Sequence, residues 1–182
     1  HMVGKIQQDS IDYVVDFGSG YCGAARYLQD ELNSKVLAVN LSGEQNRRAE
    51  HLNRLAGVDE RVTVVDASYN SVPAEDGTAD LVWSQDAFLH AERRDLPMAE
   101  AARVLKIGGE FLFTDPMAAD GVSASELSGV LERLNLSSLA SPSEYKQLAA
   151  EAGLELIEFE DLSSMLPQHY GRVLEETQAN TD

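Results

Sequence analysis

Three glycines, Gly18-x-Gly20-x-x-Gly23, follow directly on the apolar run Val14-Val15-Asp16-Phe17 and lead into a helical pattern. Glycines at that spacing let backbone N–H groups and a helix N-terminus come close to a nucleotide-like ligand. Nicotinamide and flavin sites use the same spacing, so the turn alone leaves the nucleotide open. Asp16 stands two places before the first glycine, where it can orient the turn. A second concentration of chemistry is Gln85-Asp86-Ala87-Phe88-Leu89-His90. An imidazole with an ordinary pKa of about 6.5 accepts or donates a proton near neutrality, so His90 reads as a base or as a hydrogen-bonded structural histidine. Phe88 suits either core or cleft. Between the two blocks lie Asn40-Leu41, Gln45 and Ala67-Ser68-Tyr69. Asn40 can donate to and accept from ribose hydroxyls, where a nicotinamide site would want Asp or Glu. Gln45 either adds a second polar group or completes a helix cap. Ser68 and Tyr69 offer a hydroxyl and a ring to an adenine, while Asp66 reads as a solvated strand end.

These residues need a scaffold that brings distant loops together. Ile11–Phe17 reads as a first strand buried on both faces, followed by a helix over Tyr21–Leu32 and a second strand over Val36–Val39. Ser42-Gly43-Glu44-Gln45 has the form of a capping box, and the helix it opens should stop at Gly57. Strands are expected over Arg61–Val65, Asp80–Ser84 and Glu110–Thr114, with a helix through Ala99–Leu105 before the Gly108-Gly109 pair. Helical spacing of Leu127, Val130, Leu131 and Leu134 marks Ser125–Leu134, and Ser141-Pro142-Ser143-Glu144 caps a further helix ending at Gly153. Leu154–Phe159 reads as a sixth strand. The alternation predicts an α/β fold with a doubly wound, mostly parallel sheet. In such sheets ligands bind beyond the carboxyl ends of the strands, where strand order reverses. The loops after strands one to four are therefore expected to line one cleft.

Composition narrows the class. Among 182 residues, Asp and Glu number 31 against 14 Lys and Arg, for a formal net charge of -17. That balance opposes binding to nucleic acid or to an anionic membrane surface. The acidic residues are dispersed, which argues for a folded acidic surface and fits a salt-rich cytoplasm. The single cysteine, Cys22, excludes an internal disulfide and a cysteine-rich metal site, and it reads as a small buried residue. No metal ligand set is evident. His51, on the second helix, is expected to face solvent.

Four segments carry a closer resemblance. They are Asp16-Phe17-Gly18-Ser19-Gly20-Tyr21-x-Gly23-Ala24-Ala25-Arg26, the block Trp83–His90, Ala102-Arg103-Val104-Leu105-Lys106, and Thr114-Asp115-Pro116-Met117-x-x-Asp120-Gly121. Together they resemble the sarcosine/dimethylglycine N-methyltransferases, and His169-Tyr170 looks like that family's His-Tyr pair. The resemblance implies a class I methyltransferase of Rossmann-like fold with S-adenosylmethionine as cofactor. It implies methyl transfer to the amine of sarcosine or dimethylglycine, leading to glycine betaine, a compatible solute; another small-molecule or lipid methyltransferase is the alternative. Cofactor contacts would fall on Asp16, Gly18, Ser19, Gly20, Asn40, Leu41, Gln45, Ser68, Tyr69 and Gln85. His90 and His169 would handle the proton, and the small amine substrate would meet Arg26, Phe88, Asp115 and Tyr170, with Tyr21 and Arg172 in reserve. Departures are Cys22 and Ile107, where the family usually carries glycine and proline, and Ser68, where methyltransferases usually carry Asp. Methyltransferases of this class usually add N-terminal lid helices and a seventh, antiparallel strand. Neither is legible, so residues 1–182 are expected to form one domain that is either clipped at both ends or left with an exposed slot in its sheet that needs a partner.

Overall fold

The apolar runs seen in the sequence become five strands, β1 (Tyr13–Phe17), β2 (Lys35–Asn40), β3 (Val62–Asp66), β4 (Ala79–Gln85) and β5 (Leu105–Thr114). Among the described residues six α-helices accompany them: α1 (Gly23–Leu32), α2 (Gly43–Ala56), α3 (Asp95–Val104), α4 (Ala124–Leu134), α5 (Pro142–Glu151) and α6 (Leu166–Ala179). The computed structural model describes residues 1–179, except for the side chains of Ala124 and His169. Strand order is β3-β2-β1-β4-β5, and the pairings are parallel. The order reverses between β1 and β4.

Helices cover both faces because β1 and β4 are apolar on both. Val15, Phe17 and Val82 pack with Met98 and Ala101 of α3 and Tyr145 of α5. Val14, Leu81 and Trp83 pack on the other side with Ala25 and Leu28 of α1 and Ala49 of α2. Met2, Val3 and Ile6 also lie against this second face. Among the described residues, no helix is long and apolar enough to cross a membrane.

Several boundaries differ from the expected ones. α2 stops at Gly57 as expected, with that residue at φ 68°. The Ser42 cap is half made: its hydroxyl accepts the Gln45 N–H, whereas the Gln45 side chain turns to Asn40. A full capping box forms instead at Ser123 and Glu126, so α4 begins at Ala124. α3 begins at Asp95, one turn before the expected Ala99. β5 begins at Leu105, because Ala79 pairs with Leu105 and Leu81 with Glu110. The residues between them bulge out of the ladder, with Gly108 at φ 82° and Ile107 wholly exposed.

The expected sixth strand over Leu154–Phe159 is not formed. β-favouring composition makes a strand only where a neighbour completes the ladder, and among the described residues no pairing joins this segment to β5. Leu156, Ile157 and Phe159 are instead exposed. Glu158 and Glu160 are drawn to Lys5, and Lys146 lies 4.7 Å from the Phe159 ring centroid.

Candidate active site

Parallel pairing places the carboxyl ends of all five strands on one edge, with the β1/β4 reversal at its centre. The turn after β1 needs its glycines: Gly18 has φ 75° and Gly20 φ 52°, values costly for a residue with a Cβ. A Cβ on Gly18 would lie 2.5 Å from the Cβ of Ala87. Glycine there lets the turn after β1 touch the turn after β4. The Gly18 and Ser19 N–H groups both donate to the Val39 carbonyl, at 2.9 and 3.1 Å. They anchor the turn to the end of β2, while the space beside Gly20 is open. Cys22 caps α1 at φ 57° and is buried, and burial pushes its thiol up from the ordinary value. Asp16 is buried among apolar neighbours, which pushes its carboxyl up to about 7, and its Oδ2 has no partner.

After β2, the Asn40 amide donates to Gln45 Oε1 at 3.1 Å and to Asn46 Oδ1 at 3.0 Å. Asn46 in turn donates to the Asn40 carbonyl at 3.0 Å. Asn46, buried on α2, was not among the residues the sequence singled out. It fixes Asn40 from both sides, and a buried amide on a helix has no signature in sequence spacing. Leu41 is exposed beside it. After β3, Asp66 is exposed, as expected, and the Ser68 hydroxyl accepts the Asn70 N–H at 3.1 Å. Tyr69 is half-buried and stacks on Phe17 at a centroid distance of 6.5 Å.

The turn after β4 is tied to the end of β5. Asp86 adopts φ 50°, its N–H donates to the Thr114 carbonyl at 2.8 Å, and the Thr114 hydroxyl donates to Asp86 Oδ1 at 3.1 Å. Gln85 is exposed, and its amide lies 3.6 Å from Met2 Sδ. A 3-10 turn, Phe88–His90, follows. Phe88 is in the core, ringed by Phe17, Tyr69, Phe111 and Phe113, and His90 is exposed. Asp115 Oδ1 accepts the Leu89 N–H at 3.0 Å, and Oδ2 accepts the Tyr145 hydroxyl at 2.6 Å. Burial outweighs both hydrogen bonds and pushes the Asp115 carboxyl up to about 6. Tyr145 and the buried Arg94 also escaped the sequence reading, because only tertiary packing brings them here.

The strand-end edge thus gathers Asp16, Gly18, Ser19, Gly20, Asn40, Leu41, Gln45, Ser68, Tyr69, Gln85, His90 and Asp115, whereas Phe88, expected to meet the substrate, is buried in the aromatic core instead. Three residues stand apart. Arg26 commits its guanidinium to the Tyr21 carbonyl at 2.8 Å and to Asn53 Oδ1 at 2.9 Å. Tyr170, on α6, has the Arg133 guanidinium of α4 over its ring at 5.8 Å. His169 neighbours it on α6, with a side chain outside the described residues. Among the described residues no group of carboxylates, cysteines and histidines is arranged to hold a metal ion.

The edge has the chemistry a nucleoside cofactor with a charged amino-acid end requires. It has a glycine turn in open space, a buried carboxylate oxygen lacking a donor, and an exposed apolar residue beside an anchored amide. An open parallel sheet with such a turn at its reversal defines the Rossmann-like class of nucleotide-binding folds. The methyltransferase domain family matches residues 15–113. The chain belongs to that family and has the class I methyltransferase architecture. It is 48% identical over 164 residues to the sarcosine/dimethylglycine N-methyltransferase of Halorhodospira halochloris, covering 90% of this chain and 59% of the relative. It is also 48% identical, with the same coverage of both chains, to the dimethylglycine N-methyltransferase of Parasynechococcus marenigrum. A crystal structure from Galdieria sulphuraria, of a protein provisionally assigned as a sarcosine dimethylglycine methyltransferase, superposes with a TM-score of 0.87 at 35% identity. The match covers 95% of this chain and 66% of that one. The chain therefore spans 59% of the length of these two curated relatives.

Proposed function

We propose that this chain carries the cofactor-binding and methyl-transferring part of an S-adenosylmethionine-dependent N-methyltransferase acting on sarcosine and dimethylglycine, leading to glycine betaine. The observation that carries the reading is the 48% identity over 164 residues to the Halorhodospira halochloris enzyme, which a shared sheet alone does not require. Bound S-adenosylmethionine supplies an electrophilic methyl group on a sulfonium sulfur. Gly18, Ser19 and Gly20 would hold the amino-acid end of the cofactor, and the unpartnered Asp16 oxygen would receive an ammonium. Asn40, Leu41 and Gln45 would hold the ribose, Ser68 and Tyr69 the adenine, and Gln85 would be a further polar contact.

The attacking amine must be neutral and in line with the S–CH₃ bond. Holding it there supplies on the order of 7–11 kcal/mol of such a barrier. His90 is the group proposed to take the proton the amine sheds; His169, also expected in that role, lies on α6 with a side chain outside the described residues. Tyr170, the ring expected to stabilise the quaternary ammonium product by roughly 0.5–2 kcal/mol, stands on α6 under the Arg133 guanidinium, away from the strand-end edge, and Phe88 backs the turn from the core. Arg172, exposed on α6, is the cation for the substrate carboxylate, because the Arg26 guanidinium expected in that role is held by the Tyr21 carbonyl and Asn53. The acidic surface and the lone buried thiol suit a reducing, ion-rich cytoplasm and a small-molecule substrate rather than nucleic acid or membrane.

Methyl transfer from labelled S-adenosylmethionine, offered glycine, sarcosine, dimethylglycine and a phospholipid amine, tests this reading. Product from sarcosine or dimethylglycine supports it, and product from the lipid alone assigns the cleft to another substrate class. His90→Ala is expected to lower turnover with little change in affinity for S-adenosylhomocysteine. Unchanged turnover would remove His90 from the mechanism.

A further inference from the structure

Leu89 is held by both of its backbone polar groups. Its N–H donates to Asp115 Oδ1 at 3.0 Å, and its carbonyl accepts from Arg94 Nη2 at 3.5 Å. Arg94 stands at the N-terminal boundary of α3 and is 6% exposed. Its terminal nitrogens also grip Ser138, with Nη1 to the hydroxyl at 3.1 Å and Nη2 to the carbonyl at 2.8 Å. Asp115 is itself fixed by the Tyr145 hydroxyl at 2.6 Å. The ring of Tyr145 ends an aromatic row, edge-on to Phe113 at 5.1 Å. The turn after β4, the start of α3, the end of β5, the Ser138 segment and α5 therefore meet around one residue, Leu89.

The turn does not need this grip to exist. His90 N–H already donates to the Ala87 carbonyl at 3.2 Å, and Ala91 N–H to the Phe88 carbonyl at 2.9 Å. Burying a guanidinium and a carboxylate carries a desolvation penalty that an apolar filling would avoid, and Arg94 Nε is left without a partner. Such groups are retained where they fix one arrangement against its neighbours. Here the arrangement has two flanks. Phe88 and His90 bracket Leu89 on one side. On the other, Ser138 lines a groove of about 280 Å³ with Ala118, Val122, Leu131 and Glu144.

We propose that Arg94, Asp115 and Tyr145 form a clamp on Leu89 that fixes the turn carrying His90 relative to this groove, and that Arg94 and Tyr145 are positioning residues for methyl transfer. The second half rests on the function proposed above. With both oxygens engaged, Asp115 acts through the turn, and the substrate contact expected of it from sequence gives way to this role. The ionisable groups facing Asp115 are Tyr145 from α5, Arg94 from α3, Asp86 from the turn after β4 and Tyr69 from the loop after β3.

The test uses the whole chain with Tyr145→Phe, Arg94→Lys and Asp115→Asn, the last compared with Asp115→Ala. Tyr145→Phe removes one hydroxyl and keeps the ring, and Arg94→Lys keeps the charge but cannot bridge Leu89 and Ser138. Hydrogen exchange at the Leu89 amide is expected to rise about tenfold or more in Tyr145→Phe and Arg94→Lys, with β1 and β2 amides unchanged. Affinity for S-adenosylhomocysteine should stay within about threefold of the unmodified chain, while kcat falls about tenfold to a hundredfold and KM for S-adenosylmethionine moves little. Asp115→Asn, which keeps an acceptor, should retain more of the rate than Asp115→Ala. Unchanged Leu89 exchange would overturn the clamp. Faster exchange with undiminished kcat would overturn the positioning role. An unmodified chain without cofactor binding or turnover would overturn the functional reading, and the exchange data would still decide the clamp.

Discussion

Gly18 and Gly20 occupy one turn and both have positive φ, yet their surroundings set them apart. Gly18 faces Ala87, and Gly20 faces open space. Gly20→Ala is expected to cost about 1 kcal/mol, the backbone penalty alone. Gly18→Ala adds a clash and should cost about 2 kcal/mol or more, with affinity for S-adenosylhomocysteine falling about tenfold. Chemical denaturation and calorimetry on the two variants check the contrast. Asp16 makes a prediction of a different kind. Its folded pKa of about 7 stands above the ordinary carboxylate value, so the folded chain binds the more protons. Its contribution to stability is therefore fully present below pH 4 and is lost as pH rises through about 7, by no more than about 4 kcal/mol. Asp115, raised to about 6, acts in the same direction. Denaturation midpoints in the absence of cofactor should fall between pH 5 and 8 in the unmodified chain (about 20 °C below its melting point) and fall less in Asp16→Asn. An equal slope in both would dismiss Asp16 as the source. At this scale the glycine turn and Asp16 were legible because their spacing is local. Arg94 was not, because in sequence it belongs to the charged run Glu92-Arg93-Arg94-Asp95, and only packing against Ser138 and Leu89 buries it.

Helix caps show how local signals become elements. Ser141 caps α5, which is docked on the core through Tyr145, 4% exposed. Ser123 caps α4, whose Leu131 is its only buried side chain among the described residues. Ser141→Ala is expected to lower global stability by about 1 kcal/mol. Ser123→Ala should leave global stability nearly unchanged and instead speed hydrogen exchange within α4. The caps at Ser42 and Ser141 were readable, whereas the full box at Ser123 was missed and the one at Ser42 stays half made, since Asn40 takes the Gln45 side chain. The strands with neighbours were readable as well, from apolar runs buried on two faces. Leu154–Phe159 reads as a strand by composition and is none, because β pairing is a property of two segments. The early start of β5 has the same origin: its ladder resumes at Leu105 only because Ala79 lies opposite, across the Gly108 bulge.

Charge acts on the molecule as a whole. A net -17 spread over the surface makes the folded state repel itself, and salt screens that repulsion. The melting temperature is expected to rise by several degrees, roughly 5 °C or more, between about 0.05 and 1 M potassium chloride. A flat or falling dependence would mean that the acidic residues are locally balanced. The doubly wound sheet and the reversal of strand order at its centre were foreseeable from the alternation of elements, because connection rules leave few alternatives. The division of the strand-end edge into a glycine turn, an amide-anchored loop and a clamped turn required the fold. The proposed reading converges on one ligand. Calorimetric titration of the chain with S-adenosylhomocysteine in high potassium chloride, with NAD as control, tests that convergence most directly. The account predicts saturable binding of S-adenosylhomocysteine, weakened by Gly18→Ala, and none of NAD. Binding of NAD alone, or of neither, would contradict it.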